Sequence, residues 1–336
     1  MEFRKILVIQ TAFLGDAILA TSLLEKLHQK FPLATIDFLV KKGNEGIVDH
    51  HPFIRRTYTF DKSKNKVSSL FSLLQTIQKE NYDWVINVQR FFSSGFLAAF
   101  SGAKVISGFD KNPMSFLYSI KVKHQIANTA QFEQEIYRNQ HLIEKYTDTD
   151  AARPRLYPSQ DYRETVKPYQ SKPYICFAPA SVWKTKKLPE FKWVQIADQL
   201  PENLNIYLLG GPGDFQLCEE IKNHSKHSNL FNLAGKFNYL ESAALISGAK
   251  MNIVNDSAPM HLASAMNAPT CAVYCSTVEN FGFGPLSDIS FVVQVDEKLD
   301  CRPCGLHGYN NCPQGHFKCG NDISVGKIVS IITNQL

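Results

Sequence analysis

Two turns in this chain place acidic and hydroxyl side chains where a strand ends and a helix begins. The stretch from Val254 to Ala265 reads as a strand, an Asn-Asp-Ser turn and a helix. Asp256 or Ser257 can cap the helix that Ala258 opens, and Pro259 falls in its first turn, where a missing N–H costs nothing. Unpaired N–H groups and the positive end of a helix dipole suit a phosphate. A simple helix cap is the alternative interpretation.

The N-terminal segment brings another carboxylate to a similar position. Ile6 to Ile9 is an apolar run without alternation, which predicts a strand buried on both faces of a parallel sheet. A helix with apolar residues at helical spacing follows, and Asp16 lies at its start, where open α/β sheets usually bind ligands. Asp16 is either a reactive carboxylate or only the N-cap. Of the three glycines in a dinucleotide-binding turn only Gly15 is present, which disfavours a nicotinamide enzyme.

A basic loop follows a strand in the second half of the chain. The segment from Ala180 to Pro189 carries Lys184, Lys186 and Lys187 and precedes a helix that starts near Pro189. Three lysines beside a strand end are either solvated or face an anion. The loop is therefore a candidate for contact with a phosphate.

A glycine-rich turn, from Leu209 to Asp214, also follows a strand. Gly210 and Gly211 permit positive φ and close approach of a ligand to the backbone. The Asp214 carboxylate can hold two ribose hydroxyls, as acidic residues do in other nucleotide sites. From its charge and its place after a strand, Arg90 is expected to meet an anionic ligand, together with Lys41 and Lys42. The segments 44–66 and 109–130 carry no motif, so the ligand of the first half of the chain stays unidentified.

Strands and helices alternate in both halves of the chain, which predicts parallel sheets flanked by helices. The predicted strands are 36–40, 84–88, 105–107, 174–178, 206–209, 251–255 and 270–274, and the predicted helices include 67–79, 92–100 and 325–332. The polar segment 148–172 contains three prolines, with a fourth at Pro173, and no sustained periodicity, so we place a linker there. The expected domains are residues 1–155 and 170–336.

Composition narrows the functional classes. The 336 residues are 44% hydrophobic and carry a net charge of only +5, so nucleic acid is not implied as a partner. The first apolar run is short and is followed by polar residues, and no run approaches the length of a membrane span. We expect a monomeric cytoplasmic protein that at most touches a membrane surface.

Four cysteines lie close together near the C-terminus, at Cys301, Cys304, Cys312 and Cys319. Their spacing resembles a metal-binding knuckle more than a disulfide set, because a chain without an export signal meets a reducing compartment. Structural zinc, free thiols and a disulfide stay open as interpretations. The other four cysteines lie in apolar stretches and are expected to pack in a core.

Five segments in the same order resemble glycosyltransferase family 9, the ADP-heptose:lipopolysaccharide heptosyltransferases. These segments are the loop ending at Gly15 and Asp16, then 177–193, 208–214, 232–266 and the cysteine cluster 301–319. The resemblance implies a GT-B fold of two Rossmann-like domains facing a cleft. It implies an inverting transferase that uses an ADP-sugar and no catalytic metal. The acceptor would be a lipid-anchored oligosaccharide at the inner face of the cytoplasmic membrane.

The resemblance also assigns roles to residues. Asp16 would be the base that takes the proton of the acceptor, and the neighbouring Gly15 would contact the acceptor. Lys186 would neutralise the departing diphosphate. Asp256 would lie near the sugar hydroxyls. The residues expected to bind the donor are Ser181, Lys186, Gly210, Gly211, Asp214, Asp256, Ser257, Ala258 and His261, with His261 binding rather than acting as a base. The alternatives are a nucleotide-sugar epimerase on the same scaffold and a non-catalytic sugar-nucleotide sensor or assembly factor.

Overall fold

The computed structural model describes residues 2–61, 66–126 and 133–336. The chain divides into two α/β units, residues 1–157 and 158–336. This division falls inside the polar segment 148–172. Parts of the segments 44–66 and 109–130, in which the sequence showed no motif, lie outside the described residues.

Unit 1 contains a parallel six-stranded sheet in the order β3-β2-β1-β4-β5-β6. Its strands β1 to β6 are Lys5–Gln10, Thr35–Lys41, Ile54–Phe60, Trp84–Asn87, Val105–Phe109 and Ile120–Val122. The central strand β1 is buried along almost its whole length, as the unbroken apolar run predicted. The strand order reverses between β1 and β4, and in such sheets ligands bind outside the carboxyl ends of the strands at this switch point.

Helices of unit 1 are divided between two packed pairs. Helices α1 to α4 are Leu14–Lys30, Lys66–Glu80, Phe92–Ala99 and Glu135–Gln140. Helix α2 packs against α3, and α1 packs against α4. Leu74 of α2 and Leu97 of α3 share one buried apolar cluster with Leu7 of β1, so α2 and α3 cover the same face of the sheet.

Unit 2 repeats the topology, with β7 in the place of β1. Its parallel sheet has the order β12-β11-β10-β7-β8-β9. Strands β7 to β12 are Tyr174–Ala178, Asn205–Leu208, Leu230–Asn232, Asn252–Asn255, Thr270–Tyr274 and Ser290–Gln294. Helices α5 to α11 are Gln160–Val166, Glu190–Ala197, Phe215–His224, Tyr239–Ser247, Ala258–Ala265, Lys318–Asn321 and Val325–Thr333. The switch point of unit 2 lies between β7 and β10.

The α/β fold class with two Rossmann-like parallel sheets is confirmed, and so are the predicted central strands. The sequence analysis missed the outer strands β3, β6, β9 and β12, and it missed α5, which lies inside the segment assigned to a linker. Cys176, Cys218, Cys271 and Cys275 are buried in unit 2, as predicted. Among the described residues, no helix has the length and apolar character needed to cross a bilayer.

Candidate functional site

Asn255, the last residue of β10, is a buried side chain that links β10 to the loop after β7 at the switch point of unit 2. Its Oδ1 accepts a hydrogen bond from the Leu188 N–H (2.9 Å), and its Nδ2 donates to the Pro179 carbonyl (2.7 Å). Asn255 therefore fixes both ends of the basic loop that follows β7. The lysines of that loop are positioned from the neighbouring strand rather than by the loop alone.

Lys186 and Asp256, predicted from separate segments, meet at this point. The Lys186 Nζ lies 2.6 Å from Asp256 Oδ2, and the Thr277 hydroxyl donates to the same oxygen (2.7 Å). The side chains of Lys186 and Asp256 are only 14% and 9% exposed, so the ion pair is largely shielded from water. A lysine ammonium has three N–H donors, so Lys186 retains capacity to bind a further anion.

Helix α9 begins directly above this ion pair, at Ala258, and Pro259 lies in its first turn as predicted. The prediction that Asp256 or Ser257 caps this helix is wrong. Ser257 is the N-cap residue, but its side chain makes no capping bond, because its hydroxyl faces the Ala180 carbonyl (3.4 Å). Asp256 is instead bound to Lys186 and Thr277. Neither side chain therefore bonds to the first turn of α9. Pro259 has no N–H and the Met260 N–H donates to the Ser257 carbonyl (3.0 Å), so the attraction for an anion rests on the helix dipole and the Ala258 N–H.

His261 lies on α9 and is 5% exposed. Its pKa is lowered to about 4, mainly by burial, with the Lys186 charge acting in the same direction and Asp256 opposing both. The imidazole is therefore neutral near pH 7, and a neutral imidazole can still donate or accept a hydrogen bond. Its assignment to the donor site stays a prediction.

The glycine-rich turn after β8 is closed by Asp214. The Gly211 N–H donates to Asp214 Oδ2 (2.8 Å), and a Cβ added at Gly210 would lie 2.7 Å from the Asp214 Cβ. Neither Gly210 nor Gly211 uses the positive φ that glycine permits. Glycine is needed at position 210 because a side chain there would collide with Asp214. Ser181 is half-buried in the loop after β7. The roles predicted for Ser181 and Asp214 stay predictions.

The cysteine-rich segment packs against the basic loop, a contact that sequence reasoning missed. The Thr185 N–H donates to the Tyr309 carbonyl (3.0 Å), and the Tyr309 N–H donates to Thr185 Oγ1 (2.7 Å). Gly308 has a φ of +74°, and a Cβ there would lie 3.2 Å from Lys186 Cγ. The segment therefore restricts where the Lys186 side chain can lie. Neither Thr185 nor Gly308 belongs to a motif that would have revealed this pairing.

Arg302 anchors the same segment to the end of β11. Its guanidinium donates to the carbonyls of Cys275 (2.7 Å) and Thr277 (2.6 Å) and to Gln294 Oε1 (2.8 Å). Thr277 is also the hydroxyl partner of Asp256. The ion pair thus depends on contacts from three separate stretches of unit 2.

We expect the Gly308→Ala substitution to weaken both the fold and anion binding at Lys186. The added methyl would lie 2.8 Å from Thr185 Oγ1 and from Ser276 Oγ, in addition to the strain of a positive φ. Backbone strain of this kind costs about 1–3 kcal/mol. Gly315→Ala is the matched control, because Gly315 has a similar φ of +72° and nothing within 4 Å of the added methyl. Equal unfolding midpoints and equal ADP affinities in the two variants would contradict the packing role of Gly308.

All eight cysteines are free thiols, and Cys319 is buried. Cys304 Sγ donates to the Cys301 carbonyl (3.4 Å), and Cys301 Sγ lies 3.9 Å from His316 Nε2. Within the described ranges, no group of three or more His, Cys, Asp or Glu side chains is arranged to hold a metal ion. Zinc at Cys301, Cys304, Cys312 and Cys319 stays a prediction.

The switch point of unit 1 contains the other predicted reactive group. Asp16 is half-buried in the first turn of α1, and the N-cap is Phe13, so the alternative interpretation of Asp16 as the N-cap is wrong. Gly15 precedes it in the same turn. Arg90 is exposed after β4, with its guanidinium carbon 5.6 Å from the Phe91 ring centroid. The carboxyl end of the sheet therefore presents Gly15, Asp16 and Arg90 from two neighbouring connections.

Glu135 is a further acidic group near Asp16 that sequence reasoning missed. It lies buried on α4, where Arg138 Nε donates to Glu135 Oε2 (2.8 Å). The pKa of Glu135 is raised to about 7, first by burial and then by the Asp16 charge, against the effect of Arg138. Two interacting carboxyl groups of unequal environment tend to divide their roles, one holding a proton and the other ionised. No motif in the segment around Glu135 indicated this pairing.

The raised pKa of Glu135 predicts a dependence of stability on pH. Unfolded, this group loses its proton near 4.5, whereas in the fold it keeps the proton up to about 7. The folded state therefore binds more protons in this window, so the free energy of unfolding falls as pH rises from about 4.5 to 7. Glu135→Gln should remove this contribution to the slope, measured by urea unfolding at several pH values. The exposed Glu164→Gln is the control, and an unchanged slope in Glu135→Gln would contradict the assignment.

Comparison with known proteins supplies independent information on the family and fold of this chain. A family model described as glycosyltransferase family 9 (heptosyltransferase) matches residues 70–306, which is more than half of the chain. Lipopolysaccharide heptosyltransferase 2 of Escherichia coli K12 is 25% identical over 308 residues, covering 87% of this chain and 88% of that protein.

Solved structures share the fold at lower sequence identity. A glycosyltransferase family 9 protein from Veillonella parvula superposes with a TM-score of 0.84 at 20% identity, covering 99% of this chain and 97% of that one. The E. coli heptosyltransferase WaaC with ADP-2-deoxy-2-fluoro heptose gives a TM-score of 0.75 at 19% identity, covering 99% and 100%. These likenesses support the fold rather than any particular residue.

Proposed function

Because this chain belongs to glycosyltransferase family 9, we propose that it transfers a heptose or a related sugar from an ADP-sugar to a lipopolysaccharide core acceptor, with inversion at the anomeric carbon. The observation that carries the proposal is the shielded pair of Lys186 and Asp256 beside the N-terminus of α9. The pair itself has no net charge, but the Lys186 ammonium keeps N–H donors beside the positive end of the α9 dipole, and both suit a diphosphate.

Transfer requires stabilisation of the departing ADP. As the bond between the anomeric carbon and the diphosphate oxygen breaks, negative charge grows on the diphosphate. The Lys186 ammonium and the N-terminal end of α9 are fixed before the reaction and can stabilise that charge, which is typically worth a few kcal/mol for each such donor. The proposal therefore assigns leaving-group stabilisation to protein groups and requires no divalent ion for catalysis.

The acceptor oxygen must lose a proton as it attacks the anomeric carbon from the side opposite the diphosphate. We assign this proton to Asp16, with Gly15 and Arg90 contacting the acceptor. The position of Asp16 supports this choice, because it lies half-buried in the first turn of α1, at the carboxyl end of β1, and a carboxylate is a suitable general base. General-base catalysis of this kind commonly contributes about 10²- to 10⁴-fold in rate.

The remaining donor contacts are proposed from position in unit 2. The loop after β7, the turn after β8 and the start of α9 all lie at carboxyl ends of neighbouring strands, where nucleotides bind in doubly wound sheets. In this proposal Asp214 holds the ribose and His261 contributes a neutral hydrogen-bonding group. The further contacts are Ser181, Gly210, Gly211, Ser257 and Ala258.

The names of the relatives support the choice of acceptor. A lipopolysaccharide core is anchored by lipid, so we propose that this enzyme works at the inner face of the cytoplasmic membrane. We also propose that it is a cytoplasmic monomer. The sugar unit is taken as heptose because curated relatives that cover most of this chain are described as heptosyltransferases.

The direct test combines a donor screen with a transfer assay. ADP-, UDP- and GDP-sugars are compared by thermal shift, since a donor present at 100 times its Kd should stabilise the fold by about 2.7 kcal/mol. ADP-heptose and a core acceptor are then incubated with and without EDTA, and the anomeric configuration of the product is read by NMR. Conversion of the donor without acceptor would indicate an epimerase instead, and binding without any turnover would indicate a sensor. Loss of turnover in EDTA would contradict the metal-independent mechanism.

A further inference from the structure

Helix α3 of unit 1 presents phenylalanines to solvent at helical spacing. Phe92 and Phe100 are 56% and 44% exposed, and Phe96 lies between them with its ring 6.0 Å and 4.9 Å from theirs. Phe71 of α2 is 51% exposed and packs edge to face against Phe96 at 5.6 Å. We call these four residues the aromatic ladder. It forms one continuous apolar surface across two helices.

The exposed rings of the aromatic ladder are not part of the buried core of unit 1. The opposite side of α3, with Leu97 and Ala98 fully buried, supplies the contact with the sheet. The ladder reaches the core only through the partly buried Phe96. Contiguous exposed apolar surface of this kind is uncommon on soluble proteins and marks an interaction site.

The charges around the aromatic ladder are positive. The sequence from residue 84 to 109 contains no Asp or Glu but includes the exposed Arg90 and Lys104. Lys104 is paired with Asp83 (2.7 Å), so Arg90 is the cation of this range that no ion pair among the described residues neutralises. The one acidic residue of α2, Glu80, is bound by Arg55 (2.7 Å) and Arg56 (2.8 Å). Lys79 beside it is exposed. The ladder is thus bordered by cations, and the acidic group of its helices is neutralised locally.

The net charge of unit 1 as a whole is also positive. Residues 1–157 carry 21 Lys and Arg against 15 Asp and Glu, a net charge of +6, whereas residues 158–336 carry 15 against 16, a net charge of −1. The positive charge of the chain therefore resides in the unit that presents the ladder. Aromatic side chains with flanking Lys and Arg match the interface of an anionic bilayer, in which the rings enter the headgroup region and the cations meet lipid phosphates.

We propose that the aromatic ladder docks unit 1 onto an anionic lipid bilayer. This inference rests on the proposed function, in which the acceptor is anchored by lipid. Arg90 and Phe91 connect the carboxyl end of β4 to the first residue of α3. The docking surface therefore begins in the connection after β4, and β4 is the neighbour of β1, whose own connection carries Asp16.

The test is flotation of the purified full-length protein with vesicles of phosphatidylcholine alone or mixed with phosphatidylglycerol. Wild type should bind the mixed vesicles more strongly, and raised salt should weaken that binding. Phe92→Ser combined with Phe100→Ser should reduce binding roughly tenfold or more, since two interfacial rings are lost. The matched control is Leu33→Ser with Phe231→Ser, whose parent side chains are 91% and 40% exposed elsewhere. Lys79→Glu should lower binding only to the anionic vesicles.

Each outcome separates docking from transfer. The double phenylalanine variant should keep wild-type donor binding and turnover on a soluble, deacylated acceptor while losing turnover on acceptor in vesicles. Unchanged vesicle binding in that variant overturns the docking proposal. A change of oligomeric state without loss of vesicle binding assigns the ladder to a second copy of the chain instead. Absence of transfer to any acceptor by wild type refutes the proposed function, while a loss of vesicle binding in the variant still supports docking.

Discussion

Replacement of Asp16 by Asn is expected to lower turnover by roughly 10²- to 10⁴-fold, the usual contribution of a general base, while leaving donor affinity unchanged. Asparagine keeps the size of the side chain but cannot accept the acceptor proton. Asp16 lies in unit 1, whereas the proposed donor contacts belong to unit 2. Donor binding and chemistry should therefore separate in this variant, as measured by ADP-sugar titration and single-turnover rates.

A matched control measures the effect of such a charge on helix stability. An acidic residue in the first turn stabilises a helix through its dipole, by about 0.3–1 kcal/mol at exposed positions. Asp161 also lies in the first turn of its helix, α5. Asp161→Asn should show a comparable small loss of stability with normal turnover. If Asp16→Asn also kept normal turnover, Asp16 would be only a helix-stabilising residue and the base would have to be sought elsewhere.

The pairing with Glu135 makes the Asp16 variant informative in a second way. The Asp16 charge helps to raise the pKa of Glu135, so removing it should lower that pKa. In Asp16→Asn, the free energy of unfolding should therefore stop falling at a lower pH than in the wild type. A structural role for Asp16 unconnected with this pair would leave the window unchanged.

The sequence was sufficient to predict the central strands and the chemistry at their ends. Strands β1, β7 and β10 are apolar runs buried on both faces, which few other structures accommodate, and their ends carry Asp16, Lys186 and Asp256 or lead directly to them. The outer strands were missed because an edge strand is half solvated. Strand β3, for example, places Arg55 and Arg56 side by side and lacks a continuous apolar run.

The rest of the site depends on contacts that no local pattern records. Thr185 and Tyr309 bond across 124 positions of sequence, and the turn at Gly308 matters only because Lys186 passes beside it. The cap predicted for α9 failed for the same reason, since Asp256 and Ser257 found other partners once the loop after β7 folded over them. Spacing indicates which groups stand near a strand end, but tertiary packing decides which groups they bind.

Replacement of Lys186 by Ala is expected to weaken donor binding and turnover by roughly 100-fold each, as loss of one diphosphate donor predicts. It should also destabilise the fold by about 3 kcal/mol, because the largely buried Asp256 carboxylate would lose its cation. Lys184→Ala changes a neighbouring exposed lysine and is the control. It should leave donor binding, turnover and stability almost unchanged. Donor titration, turnover and urea unfolding measure the three effects.

A double variant distinguishes binding from folding at this pair. Adding Asp256→Asn to Lys186→Ala removes the uncompensated charge, so most of the lost stability should return. Donor affinity should stay low, because the cation that meets the diphosphate is still missing. Recovery of affinity together with stability would show that Lys186 serves the ion pair alone, and the phosphates would then have to be held by another cation of the loop, such as Lys184 or Lys187. Recovery of stability alone, with a donor affinity below that of the single variant Asp256→Asn, would identify Lys186 as the residue that serves both the fold and the leaving group.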